Sequence, residues 1–161
     1  MINYTKATMN TTIERKADAS ERVQSALEHY DQGYSCSQSI VLAFSDLFDL
    51  DPKHATLISS GFGGGMGRLR RTCGALTGAY MILGLKFGNH SPDDNDSKLD
   101  GYRVVRKLTE QFEAIHSTSV CKELLANHSK NQNDPAKRHH KHICRKAIED
   151  AARILESLIT E

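Results

Sequence analysis

The chain has 161 residues and a mass of 17.9 kDa, the size of one ordinary domain. With 25% charged and 39% hydrophobic residues and only 3 prolines, it is neither a low-complexity polymer nor a disordered tail. Lys plus Arg (21) nearly balances Asp plus Glu (20), leaving a net charge of +1 and no whole-chain field to draw in nucleic acid.

The chain starts Met1-Ile2-Asn3-Tyr4 and reaches Glu14-Arg15-Lys16 without the apolar run of a secretory signal. The longest apolar stretch, 73–85, is well short of the roughly 20 residues that cross a bilayer. The expectation is a cytoplasmic protein with no membrane span, one domain over 1–161 and a loose tail over 1–10. In a reducing compartment the four cysteines are then metal ligands, redox thiols or buried small side chains, rather than structural disulfides.

Helical periodicity recurs along the chain and no strand pattern stands out. Ile13, Ala17, Val23, Leu27 and Tyr30 predict a first helix, stopped before Gly33. Ser35-Cys36-Ser37-Gln38 reads as a capping box for a second helix over 36–48, with Ile40, Val41, Phe44, Leu47 and Phe48 behind it. Asp51-Pro52 caps and starts a short third helix through Ile58.

Five of the eleven glycines fall in Gly61-Phe62-Gly63-Gly64-Gly65-Met66-Gly67, a loop that no helix centre would tolerate. Thr72 is the predicted cap of a helix carrying Cys73, Leu76, Tyr80, Leu83 and Phe87 on one face. Gly74 and Gly78 on another face would let a neighbouring backbone come close. Ser91-Pro92 is the predicted start of a helix with the stripe Tyr102, Val105, Leu108, Phe112 and Ile115, ended at Ser117-Thr118-Ser119. A short helix with Cys121, Leu124 and Leu125, a polar loop over 127–135 and a long helix from Ile143 to Leu158 complete the chain. The fold class is all-α, a bundle of five or six helices with a Gly-rich loop.

Cys36, Cys73 and Cys121 then lie in first turns of helices, where amide donors and the helix dipole lower a thiol pKa, and Cys144 lies near the start of the last apolar stripe. All four sit on apolar stripes and should point inward. Burial as small hydrophobes is the plain alternative. Their wide separations contain no C-x-x-C and no zinc-ribbon pattern.

Cys36, the glycine loop, Thr72-Cys73-Gly74-Ala75-Leu76-Thr77-Gly78-Ala79 and the single cysteines Cys121 and Cys144 resemble the C_GCAxxG_C_C family of redox-active proteins over about 33–158. This chain reads Cys-Gly-Ala where the family label reads Gly-Cys-Ala. A weaker likeness is to the cysteine-bearing part of split-Soret cytochromes, although no C-x-x-C-H is present for haem attachment.

The resemblance implies a redox or metal-linked role, as an oxidoreductase or an electron-transfer protein with a redox partner. The leading expectation is electron transfer through an iron-sulfur cluster or other metal, with zinc as the alternative ion, held by Cys36, Cys73, Cys121 and Cys144; two of them cycling as a dithiol is an alternative. A structural zinc or metal-carrier protein without turnover is the alternative from another class.

Gly63, Gly64 and Gly65, with Arg70 and Arg71, are candidates for an anion nest at that site, set against simple close packing of the loop. Met66 takes the place of the last glycine of a dinucleotide fingerprint, which argues against nucleotide binding. His140 is one helical turn from Cys144 and could share a metal, but the run His139, His140, His142 among lysines and arginines reads more readily as a solvated basic face.

Overall fold

Side-chain oxygens start the early helices. Ser20 accepts from the Val23 amide at the head of α1 (Glu21–Asp31), and Ser35 accepts from Gln38 N–H while Gln38 reaches back to Ser35 N–H at the head of α2 (Cys36–Phe44). Asp51 caps α3 (Pro52–Ser59), with proline at the first turn. Gly33, at φ 108°, lets the chain leave α1 through paired bonds from Gly33 N–H to Tyr30 O and from Tyr34 N–H to His29 O.

The computed structural model describes residues 20–129 and 136–161, with side chains for 20–127 and 140–161. Over these residues the chain is all-α, with α4 (Gly74–Phe87), α5 (Asn95–His116), α6 (Cys121–Ser129) and α7 (Ala136–Thr160) completing seven helices. This is the all-helical bundle of about five or six helices expected, with the short segments counted. The expected tail 1–10, Ile13 and Ala17 lie outside the described residues, as do 130–135 of the predicted polar loop.

Several boundaries differ from expectation, among them the start of α7 at Ala136 instead of Ile143. The second helix tightens to a 3-10 turn over Ser45–Phe48, and Ser45 Oγ donates to the Leu42 carbonyl there. Thr72 does not cap α4; Cys73 occupies the cap position, because Thr72 pairs with Val120 in an isolated antiparallel bridge. Ser91-Pro92 forms a turn and Asp94 caps α5, accepting from Ser97 N–H. α6 runs on through Ser129 where a loop was expected from residue 127.

The buried stripe of α5 is Val104, Leu108 and Phe112, while Tyr102 and Ile115 stand more than half exposed. A helix contacting the bundle along one seam buries residues four apart, and the neighbouring stripe stays in solvent.

Helix α4 is central and packs against α2, α5 and α7. Ile40, Phe44, Leu76, Leu83, Leu108 and Ile148 are fully buried at its contacts. The small residues of α4 decide how close α2 comes. A Cβ on Gly78 would meet the Ser37 carbonyl oxygen at 2.7 Å, and one on Gly74 would meet the Cys36 Cβ at 3.1 Å. No described helix is long and apolar enough to cross a membrane.

Candidate functional site

Three local devices carry the cysteines toward one place. The close approach of α2 to α4 sets Cys36 beside Gly74, next to Cys73. The bridge region sets Cys73 beside Cys121: Cys73 N–H donates to Ser119 O at 2.8 Å and Cys121 N–H to Arg71 O at 2.6 Å. Helix α7, tied to the end of α1 by an Arg145–Asp31 ion pair at 3.3 Å, brings in Cys144.

All four cysteines line a single cavity of about 30 Å³, closed by Gly64, Gly65, Arg70 and apolar residues of α6 and α7. All four are free thiols; Cys73 and Cys121 are buried, Cys36 and Cys144 half-buried. The expectation that they point inward to one pocket therefore describes the geometry.

The glycine loop makes this closure possible. Gly64 and Gly65 have φ of 65° and 72°, and so do not continue a helix. A Cβ on Gly65 would lie 2.6 Å from the Cys121 Cβ and 2.9 Å from Arg70 Cα. Gly63 faces Ser35 and not the cavity, and the exposed Arg71 does not line it, so of the five nest candidates only Gly64, Gly65 and Arg70 line the cavity. Arg70 Nη1 lies 3.8 Å from Cys121 Sγ.

Cys36 and Cys73 run against the helix-terminus expectation, while Cys144, away from a helix start, is lowered. Burial pushes Cys73 up to about 12, outweighing the amides of Ala75 and Leu76 that favour its thiolate. Cys36 is held well above its ordinary value by its hydrogen bond to Cys144 and by burial.

Cys144, in the body of α7, is lowered to about 7. The Cys36 thiol donates to it, and the Tyr30 hydroxyl and the Arg70 charge add to this against the opposing effect of burial. A buried tyrosine needs a partner for its hydroxyl, and that need was the signal in the sequence for Tyr30, which the apolar stripe masked.

The family model described as "Putative redox-active protein (C_GCAxxG_C_C)" matches residues 34–158, a span that contains all four cysteines and the glycine loop. The chain belongs to this redox-active family. No curated protein and no solved structure matches it. The family's order of cysteines is thus mapped here onto one cavity, with Cys73 at the head of α4 in Thr72-Cys73-Gly74-Ala75.

Four thiolates are the donor set of zinc or an iron-sulfur cluster. Yet among the described residues no three His, Cys, Asp or Glu side chains are grouped so as to hold an ion.

His140 and His142 are exposed, matching the solvated basic face, and His140 forms no ion site with Cys144; the His139 side chain lies outside those described.

His116 is paired with Asp150 across α5 and α7 at 3.0 Å and stacked on Phe112 at 4.3 Å. Neither side chain is more than 8% exposed. The pair lines neither the cysteine cavity nor the groove that opens beside it.

Proposed function

We propose that this protein is a thiol-disulfide redox protein in which Cys144 is the attacking sulfur and Cys36 the resolving one. The observation that supports this reading most is the contact between these two thiols, with Tyr30 and Arg70 favouring the thiolate on Cys144.

The Cys144 thiol gives its proton to solvent, and its thiolate attacks one sulfur of a substrate disulfide. A Cys144–substrate mixed disulfide forms, and the first substrate thiolate leaves and takes up a proton. Cys36 then loses its proton and attacks Cys144 Sγ, forming the Cys36–Cys144 disulfide and releasing the second substrate thiolate, which is protonated. The protein loses two electrons and the substrate disulfide gains them. Tyr30 and Arg70 hold the charge on Cys144 between encounters. Cys73, kept protonated by burial, stays out of the exchange at neutral pH.

Peptide mapping of the full chain equilibrated in a dithiol redox buffer tests this. A Cys36–Cys144 disulfide should form reversibly, Cys36→Ser should trap a mixed disulfide on Cys144, and Cys144→Ser should abolish exchange. Failure to form that bond at any potential sinks the reading.

A second reading, electron transfer through a four-cysteine iron-sulfur or zinc site, is favoured by one observation, the opening of all four cysteines onto one cavity. It requires the sulfurs to rearrange around the group. A brown anaerobic preparation with iron and sulfide would select it, and a colourless one with stoichiometric zinc would select a structural metal.

A further inference from the structure

A groove of about 520 Å³ opens beside the cysteine cavity, and both Cys36 and Cys144 are in its wall. This is the volume of a small-molecule site, too small for a folded partner. Arg68, Arg70 and His140 line it, and among the described residues no Asp or Glu does. Among the described residues, neither Arg68 nor Arg70 forms an ion pair with a carboxylate, whereas Arg22, Arg103, Arg145 and Arg153 all do. Arg68 thus faces a groove next to Cys144 with no carboxylate to satisfy it, and Arg70, whose charge favours the Cys144 thiolate, pairs with no carboxylate either.

The backbone aims them there. Met66, Arg68 and Arg70 have φ of 66°, 63° and 59°, left-handed values that side chains adopt at a cost and that cluster at functional sites. The turn is held by Arg68 N–H to Gly63 O and Arg71 N–H to Gly65 O. Gly64 leaves room for the Arg68 stem to lie across the loop, since a Cβ there would come within 2.7 Å of Arg68 Cγ.

We infer that this groove is the substrate site of the thiol pair and takes a small disulfide bearing carboxylate groups, which Arg68 and Arg70 bind while one sulfur faces Cys144. This rests on the thiol-disulfide reading above. A guanidinium meets a carboxylate with two parallel hydrogen bonds, which would fix the substrate's orientation as well as its charge preference. The disulfide takes two electrons and two protons from Cys36 and Cys144 and leaves as two thiols.

The test compares reduced full-length protein reacting with glutathione disulfide (anionic), hydroxyethyl disulfide (neutral) and cystamine (cationic), each rate divided by that of a free thiol with the same disulfide. The anionic disulfide should be favoured over the cationic one by about tenfold or more, and Arg68→Glu should bring that ratio to one or below. Arg68→Gln serves if the glutamate variant does not fold. Equal normalised rates overturn the groove assignment and leave the thiol reading standing. No reaction with any of the three overturns the thiol reading.

A binding arm then decides the groove independently of redox chemistry. S-methylglutathione, which cannot exchange, should shift resonances of the groove residues, with affinity about tenfold weaker in Arg68→Glu. Absence of binding to the native chain removes the site.

Discussion

Gly65 is packed against Cys121 so closely that a Cβ built on Gly65 would lie 2.6 Å from the Cys121 Cβ. The contact joins the glycine loop to the head of α6, and its left-handed backbone allows no other residue to take the same path without strain.

Gly65→Ala should therefore lower stability by about 2–4 kcal/mol, from left-handed strain and overpacking together, and should disturb the cysteine cavity. Gly61→Ala is the matched control: it has open space around it and no positive φ, so its effect should stay within about 0.5 kcal/mol. Urea midpoints of the two variants decide. Equal midpoints would mean that the loop relaxes freely.

Cys144 should be the first cysteine alkylated by iodoacetamide at neutral pH, with a rate that inflects near its value of about 7. Tyr30→Phe removes a donor to the thiolate, so the inflection should move up and labelling at pH 7 should slow by about threefold. The linkage has a sign. The folded thiol is more acidic than the unfolded one, so Cys144 contributes stability above its ordinary value of 9.0 that is lost as pH falls through about 7. Cys73, raised to about 12, acts oppositely: its contribution is full below 9.0 and is lost as pH rises toward 12. Denaturant midpoints of the reduced chain between pH 6 and 11, with and without Cys73→Ala, separate the two.

Arg70 and Arg71 should behave differently although they are adjacent. Arg70 lies 3.8 Å from Cys121 Sγ and lowers the Cys144 pKa by its charge, whereas Arg71 is exposed and lines neither cavity nor groove. Arg70→Ala should raise the pH at which Cys144 is labelled, and Arg71→Ala should leave the profile in place. A shift with Arg71→Ala as large as that with Arg70→Ala would mean that long-range charge, not position in the cavity, sets the acidity.

The His116–Asp150 pair should be a stability element. Burial raises the Asp150 pKa, but hydrogen bonds from His116 and Lys146 outweigh it and hold the carboxyl below its ordinary value. Its stabilisation is present above the ordinary carboxylate range and is lost as pH falls through the lowered value. Asp150→Asn should cost about 2–4 kcal/mol at pH 7, since His116 loses its buried partner, and should flatten the acid limb of a stability–pH curve. An unchanged acid limb would place the acid sensitivity elsewhere.

The helical class was legible because apolar residues recur at helical spacing and because short-range signals such as the Ser35-Cys36-Ser37-Gln38 box and Asp51-Pro52 depend only on neighbours in the chain. Thr72 was misleading for the converse reason. Its local context suits a cap, but Val120, far along the chain, competes for its backbone and wins. The phase of the α5 stripe was ambiguous because both candidate faces carry apolar side chains, and only contact with α4 and α7 buries Val104 rather than Tyr102.

By itself the sequence determined that this is an all-helical chain, that a glycine loop leads into a cysteine-headed helix, and that four cysteines stand in the family's order. These are properties of local pattern and of residues adjacent in sequence. Tertiary structure decided that the four cysteines share one cavity, that Cys144 is lowered by Cys36, Tyr30 and Arg70, and that Arg68 and Arg70 face a groove lined, among the described residues, by no carboxylate. Acidity depends on burial and on partners such as Tyr30 and Cys36, which come from other helices. No spacing along the chain encodes those distances until the helices pack.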